Sequence, residues 1–315
     1  MPTPNFNLLL GAGFSRNWDG WLASEIDEYL LGDPALNDQI RSLILKYRLK
    51  GGFEAALGEL QEQNMDAENL AKLTQAIETM FGRMNRGMIE RPFEFSPHLD
   101  RHVGTFLLKF DAIFTLNQDL LLESKYLEPF QGGTPRWHTK YRPGLKPGNS
   151  NAPVQFTPDE DSFSVDQNAQ PYFKLHGSMD WRTNNSSGIL VVGKGKKALI
   201  EKSPLLNWYR SEFERRLNLA NSRLFVIGYS FADQHINEII ETAVTNASLK
   251  MFVVDPLGID VLDSNRATQT PGLIQAYGSL FGAVWPKLIG ASRRPLSRIF
   301  GDDTVEFEKV MHFFI

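Results

Sequence analysis

Residues 5–15 read NFNLLLGAGFS, a short apolar run that ends in Gly11-Ala12-Gly13-Phe14-Ser15. Near-continuous apolar runs of this kind are typical of strands that are buried on both faces of a sheet. Similar runs lie at Ala112–Thr115, Phe173–Leu175, Ile189–Val192, Leu224–Ile227 and Met251–Val254, and helical patterns separate them at Trp21–Leu31, Leu205–Leu219 and Gln234–Thr245. Strands that alternate with helices predict an α/β fold built on a parallel sheet.

Three intervals depart from this alternation. From about residue 34 to about residue 110 the apolar spacing is helical, which predicts a helical insertion in the sheet domain. The segment Gln131–Pro171 is rich in Gly, Pro, Asn and Asp, and we expect a long surface loop there. Residues 1–268 would then form the sheet domain and residues 269–315 a C-terminal tail. The tail carries Phe300, Phe307, Phe313 and Phe314, which must pack against this chain or a second copy.

The composition excludes several classes of protein. The 315 residues carry a formal net charge of −4 without a block of like charge. This argues against direct binding of nucleic acid, which usually needs a basic face. There is no cysteine, so disulfides, thiolate zinc sites and cysteine nucleophiles are excluded. The sequence shows no signal peptide, and no apolar stretch reaches the ~18 residues of a spanning helix. We therefore expect a soluble, cytoplasmic protein without membrane contact.

Polar or glycine-containing motifs follow four of the predicted strands, at the edge where open α/β sheets bind ligands. The glycines of residues 11–15 would let backbone N–H groups approach a pyrophosphate, although a dinucleotide fingerprint would need a third glycine where Arg16 stands. A tight strand-to-helix turn would require the same glycines. Asn117 and Asp119, in TLNQD, follow the second strand, and capping of a helix is the alternative function for them.

Histidine offers a second kind of candidate. His176, in KLHGS, follows a predicted strand and could act as an exposed base because histidine titrates near neutral pH. A structural role is the alternative. We interpret the remaining histidines, His98, His102, His138, His235 and His312, as structural or exposed. Their spacing along the chain does not indicate a metal site.

The last two strand ends offer groups suited to a nucleotide. Gly228, in GYSFAD, would free the backbone for a phosphate or ribose, and Ser230 adds a hydroxyl. We expect Asp233 to cap the helix that follows. Asp255 could accept hydrogen bonds from a ribose diol, or it could close a turn before Pro256.

Taken together, GAGFS, TLNQD, KLHGSMDW and GYSFADQHIN resemble, in order and spacing, the NAD-binding domain of the sirtuin (SIR2) family. They are most similar to the SIR2-like proteins of bacterial anti-phage defence. The resemblance covers about residues 5–256 and implies a Rossmann-like fold. Sirtuin deacylases carry four zinc-binding cysteines and a Pro-Asp-Phe-Arg type segment after the glycine loop. This chain has no cysteine and reads RNWDGW at residues 16–21, so an acyl-lysine groove is not expected.

The resemblance implies a metal-independent NAD+ hydrolase that releases ADP-ribose and nicotinamide and depletes cellular NAD+ in abortive infection. By the same resemblance Asn117 orients water or the ribose, Asp119 contacts the nicotinamide carboxamide, and His176 acts as a base toward ribose hydroxyls. Ser15 and the loop amides would hold the pyrophosphate, and Ser230 and Asp255 the adenosine half. The full set of expected NAD-binding residues is Gly11, Ala12, Gly13, Phe14, Ser15, Asn17, Gly228, Ser230 and Asp255.

Other functions stay open at this stage. The alternatives are protein deacylation, ADP-ribosyl transfer, and a module that senses NAD or ADP-ribose without turnover. An unrestrained NADase would empty the cell of its cofactor, and similar proteins are held inactive until an oligomer or a partner forms. We therefore expect a homo-oligomer and a separate activating protein, either a HerA-like ATPase or an Argonaute-like protein.

Overall fold

The central feature of the fold is a parallel sheet. The computed structural model describes residues 4–49, 51–63, 67–127, 137–148, 155–182, 188–190, 200–263 and 279–315. The strands of this sheet are β1 (Asn5–Leu10), β2 (Ala112–Thr115), β3 (Thr139–Tyr141), β6 (Ala169–Lys174), β9 (Ser222–Ile227), β10 (Lys250–Val254) and β11 (Leu288–Ser292). Their order is β11-β10-β9-β1-β2-β6-β3, and every pairing is parallel. The predicted α/β fold with a Rossmann-like parallel sheet is therefore confirmed.

Helices cover both faces of the sheet. Outside the insertion they are α1 (Ala12–Ser15), α2 (Ala23–Leu31), α7 (Pro204–Leu217), α8 (Gln234–Ala247), α9 (Ser279–Val284), α10 (Leu296–Ile299) and α11 (Thr304–Met311). Successive residues of a strand point to opposite faces. Accordingly, Leu8 and Leu10 of β1 join one apolar core, whereas Leu9 joins the other, beneath α7 and α8. No helix in the described ranges has both the length and the apolarity needed to cross a membrane.

The insertion between β1 and β2 is helical. It comprises α3 (Asp38–Tyr47), α4 (Gly52–Gln63), α5 (Ala67–Glu90) and α6 (Val103–Leu107). Helix α3 begins where Asn37 accepts a hydrogen bond from the Ile40 amide (3.0 Å), which is the usual role of an N-cap asparagine. One face of α5 is buried over Leu73, Ile77, Met80 and Met84, at the spacing expected for a helix that packs against a core.

The segment Gln131–Pro171, where we expected a long loop, contains three short strands, and two of them belong to a second, smaller sheet. Its strands are β4 (Leu145–Pro147), β5 (Phe156–Pro158), β7 (Gly177–Arg182) and β8 (Gly188–Leu190), in the order β4-β5-β7-β8. The prediction of a loop is wrong because strands of only three residues that are partly exposed have the same amino-acid composition as turns. The strand predicted at Ile189–Val192 does not join the parallel sheet, since β8 pairs antiparallel with β7. Residues 131–136, 149–154, 191 and 192 lie outside the described residues.

The tail folds back onto its own sheet. Strand β11 adds the seventh strand of the described sheet, and Phe300 and Phe313 are almost fully buried. The Phe313 ring lies edge-on to Phe225 of β9, with centroids 5.0 Å apart, and Arg223 donates to the Ile315 carbonyl (2.8 Å). These buried rings therefore offer no surface to a second copy. The predicted boundary at residues 268–269 lies outside the described residues.

Candidate functional site

A cleft of about 840 Å³ lies at the carboxyl ends of the central strands. This is where ligands bind in open α/β sheets, and the volume is in the ~300–1,000 Å³ range of ligand pockets. Among the residues predicted from the sequence, the lining includes Gly11, Ala12, Gly13, Asn17, Asn117, His176, Gly228, Ser230 and Asp255. Ser15, Phe14 and Asp119 do not line it. Phe14 packs instead against Trp18, with ring centroids 5.0 Å apart.

The glycine loop is in close contact with the turn after β9. A Cβ atom at Gly11 would lie 2.5 Å from the Gly228 carbonyl oxygen, and one at Gly13 would lie 2.6 Å from the Gly228 Cα. Only glycine permits this approach, and Gly228 itself has φ +61. The Gly11 amide donates to the Ile227 carbonyl (3.0 Å) and the Gly13 amide to the Gly228 carbonyl (2.9 Å). Both amides are therefore used in hydrogen bonds within the protein, where they hold the two turns together.

A short hydrogen-bonded chain fixes the side chain of Asn117. Its Nδ2 donates to the Gly11 carbonyl (3.0 Å) and to Ser15 Oγ (3.0 Å), and Ser15 Oγ donates to Asp119 Oδ2 (2.7 Å). Because a carbonyl oxygen only accepts hydrogen bonds, Nδ2 must face Gly11. The Asn117 Oδ1 acceptor is then the side-chain atom left to serve a ligand in the cleft. Ser15 and Asp119 are buried behind Asn117 and orient it.

Beneath this chain lies a buried ion pair. Lys174, at the end of β6, contacts Glu123 Oε1 with its Nζ (2.8 Å) and also donates to the Asp119 carbonyl. Burial raises the pKa of the Glu123 carboxyl, and the Lys174 ammonium opposes that rise. The insertion adds one more support, since Asn85 of α5 accepts from the Leu120 amide (2.9 Å). The backbone that carries Asn117 and Asp119 is thus held from two sides.

His176 also lines the cleft and has a neighbour that the sequence did not reveal. Its Nε2 is 3.2 Å from Nε2 of His235. The carboxylate of Asp233 lies in the same cluster, in which the three ligand atoms are within 4.8 Å of one another. Asp233 precedes α8 as predicted, but its side chain makes no capping hydrogen bond. We had interpreted His235 as structural or exposed, and 59 residues of sequence separate it from His176, so no local spacing could indicate the pair.

The remaining predicted residues lie where the turns meet the tail. Ser230 is exposed at the cleft, and Asp255 closes a turn by accepting from the Leu257 amide (2.8 Å). Asn17 donates to the Gly13 and Phe14 carbonyls (both 3.0 Å) and accepts from the Leu296 amide (2.8 Å). All of its side-chain bonds therefore tie the glycine loop to the tail.

The tail and the insertion contribute lining residues that sequence reasoning missed. Arg293 and Arg294 follow β11, and Glu54 comes from α4. Arg293 pairs with Asp260 (2.7 Å), whereas Arg294 is 3.8 Å from Asp303 and its side chain is 61% exposed. The sequence offered a weak signal for the two arginines, because they directly follow the short run LIGAS, which forms β11.

A comparison with protein families agrees with this geometry. The sequence model of the family described as SIR2-like domain matches residues 111–278, which is more than half of the 315 residues. The chain belongs to the SIR2-like family. The matched part of this SIR2-like chain includes Asn117, Asp119, His176, Ser230 and Asp255, and an NAD-related activity follows from the family. The glycine loop precedes the matched range. No curated protein matches the chain.

Proposed function

We propose that this SIR2-like chain hydrolyses NAD+ at the nicotinamide–ribose bond and releases ADP-ribose and nicotinamide. The observation that supports this proposal best is the fixed Asn117 amide, which lines the same cleft as His176. A carbonyl-type oxygen and an imidazole that line one cleft are suited to a reaction that develops positive charge and then consumes a water.

The chemistry of the bond defines what the residues must do. When the C1′–N bond of NAD+ breaks, its electron pair leaves with nicotinamide, which becomes neutral and needs no acid. The ribose is then oxocarbenium-like, as in other glycoside cleavages. We propose that Asn117 Oδ1 lies next to C1′, where it stabilises the developing charge and positions the attacking water. His176 accepts a proton on the ribose side, either from that water or from a ribose hydroxyl.

The rest of the dinucleotide would extend along the cleft. In this pose Ser230 and Asp255 contact the adenosine half. Because the amides of Gly11 and Gly13 already donate hydrogen bonds within the protein, we assign the pyrophosphate to Arg294. Its exposed guanidinium is suited to a phosphate. Asp119 and Ser15 act on the reaction through Asn117 rather than by contact with NAD+.

Two alternatives have weaker support. A deacylase or ADP-ribosyltransferase would need a place for a protein substrate, and this chain lacks the cysteines of the sirtuin zinc module. A sensor that binds NAD without turnover would not need Asn117 and His176 together at one cleft. Hydrolysis uses both residues, which is why we favour it.

We further propose a biological role in anti-phage defence, in which loss of NAD+ stops the infected cell. This role rests on the resemblance of the motifs and on the harm that unrestrained NAD+ cleavage would cause. We propose control by homo-oligomer formation and by a separate HerA-like or Argonaute-like partner. The buried tail aromatics no longer support the oligomer, and light scattering on the purified chain would measure its size directly.

The test of the enzymatic proposal is an incubation of the purified protein with NAD+, with and without an acylated peptide. We expect nicotinamide and ADP-ribose in equal amounts in both samples. Nicotinamide release that requires the peptide would indicate deacylation or transfer. Binding of NAD+ without any product, in the presence of the activating assembly, would indicate a sensor and contradict hydrolysis.

A further inference from the structure

The cluster of His176, Asp233 and His235 combines two imidazoles and a carboxylate at the mouth of the cleft. His176 follows β6, whereas Asp233 and His235 lie at the start of α8, so the two sides come from elements far apart in the sequence. Imidazole and carboxylate are the ligands that zinc and other divalent transition metals accept in proteins. The cluster therefore has the composition of a metal site.

The distance between the imidazoles also fits a shared metal ion. Zinc–nitrogen bonds are about 2.0–2.1 Å long, so tetrahedral geometry separates two ligating nitrogens by about 3.3–3.4 Å. The two Nε2 atoms are 3.2 Å apart. We propose that His176 Nε2, His235 Nε2 and the Asp233 carboxylate bind a divalent transition-metal ion such as zinc. With three protein ligands, the fourth position would open onto the cleft.

A hydrogen bond between two neutral imidazoles would also explain the short distance, and the position of the aspartate is a second, separate observation. Three other N-cap side chains, Asn37, Ser203 and Asp303, accept an amide hydrogen of the helix they precede. Asp233 occupies the same position before α8 and makes no such bond. Its carboxylate lies with the imidazoles instead, where it would offset part of the charge of a bound cation.

Such a metal ion would inhibit NAD+ cleavage, and this part of the inference rests on the proposed function. The lone pair of His176 Nε2 would be donated to the metal, so that atom could no longer accept a proton. Metal binding and catalysis would thus exclude each other. The reaction itself would remain metal-independent, and removal of the ion would release the base.

The test of binding does not depend on activity. The chelator-treated full chain is titrated with zinc in competition with a chromophoric chelator, for the wild type, His235→Ala, Asp233→Asn and His312→Ala. His312 is exposed in the tail and serves as the matched control. We expect one zinc per chain in the wild type and in His312→Ala, and an affinity at least about 10-fold lower in His235→Ala and Asp233→Asn. Equal zinc affinity in His235→Ala, or no zinc binding by the wild type at micromolar concentration, would overturn the site.

The test of inhibition measures NAD+ cleavage with added zinc and with EDTA. We expect zinc to lower the wild-type rate and EDTA to restore it, whereas the activity that His235→Ala retains should lose this sensitivity. Zinc that binds through His235 but leaves the wild-type rate unchanged would refute the inhibitory role alone. Absence of NAD+ cleavage with intact zinc binding would refute the proposed hydrolase and leave the metal site standing.

Discussion

Two groups of residues at the cleft differ in the kind of contact that their polar side chains make. In the glycine-loop wall, formed by residues 11–13 and Asn117, Asn117 donates to the Gly11 carbonyl and to Ser15, and Ser15 donates to Asp119 behind the wall. In the histidine wall, formed by His176, Asp233 and His235, the three side chains cluster around one another at the start of a helix.

This difference separates two requirements of catalysis. A preorganised oxygen next to a developing charge costs no rearrangement during the reaction, and we propose that Asn117 in the glycine-loop wall provides one. A base must instead change its protonation state, which suits imidazoles near neutral pH. We expect the histidine wall to exchange a proton, or the proposed metal ion, without a rearrangement of Asn117.

The largest expected effect is loss of activity when either wall loses its central group. His176→Ala should lower NAD+ cleavage roughly 10²–10⁴-fold because the base is removed. Asn117→Ala should lower it roughly 10²–10³-fold because the fixed oxygen is removed. His312→Ala and Asn218→Ala, at exposed positions, are the matched controls. A near-parental rate of nicotinamide release in either cleft variant would contradict the assignment.

The contact between the glycine loop and the β9 turn can be broken by one methyl group. Gly228→Ala should lower the free energy of unfolding by about 2–3 kcal/mol, because φ is +61 and the new Cβ would collide with the Gly13 backbone. Gly82→Ala in α5, where a Cβ meets nothing within 4 Å, should instead stabilise by about 0.5–1 kcal/mol. Denaturant melts of both variants measure the difference, and equal stabilities would refute the close contact.

Loss of the hydrogen bonds that support Asn117 should lower catalysis less than loss of Asn117 itself. Ser15→Ala breaks the link between Asp119 and Asn117, and we expect the loss of orientation to lower kcat roughly 10–100-fold with little change in KM. If Ser15 held the pyrophosphate, as the sequence suggested, KM would rise instead. Steady-state kinetics on Ser15→Ala and Asp119→Asn separate the two possibilities.

The smallest expected effect is that of metal removal. The proposed reaction uses no metal ion, so EDTA should leave the rate unchanged or raise it if a metal ion occupied the histidine wall. Turnover that falls with EDTA and returns with a divalent ion would contradict this. An ATPase partner brings its own metal requirement, and that requirement must be measured separately.

The sequence predicted the centre of the fold better than its edges. Strands β1, β2, β9 and β10 are buried on both faces, so they appear as near-continuous apolar runs. The short strands β3, β4 and β5 keep turn-like composition, and edge strand β11 is only partly buried. Local patterns alone therefore could not separate these strands from loops.

Prediction of the candidate site from the sequence was limited in the same way. Glycines and polar residues that directly follow a strand were visible, and most of them line the cleft. Whether a side chain faces the ligand or supports its neighbour was not visible, as Ser15 and Asp119 show. The approach of His235 to His176 depends on how α8 packs, which is a tertiary property that no local pattern contains.

The most direct measurement is the position of NAD+ in a structure of the His176→Ala variant, in which turnover is blocked. We expect C1′ of the nicotinamide ribose to lie about 3–3.5 Å from Asn117 Oδ1, with the adenosine half toward Asp255. NAD+ bound in the reverse direction, or with C1′ outside the reach of Asn117, would contradict it.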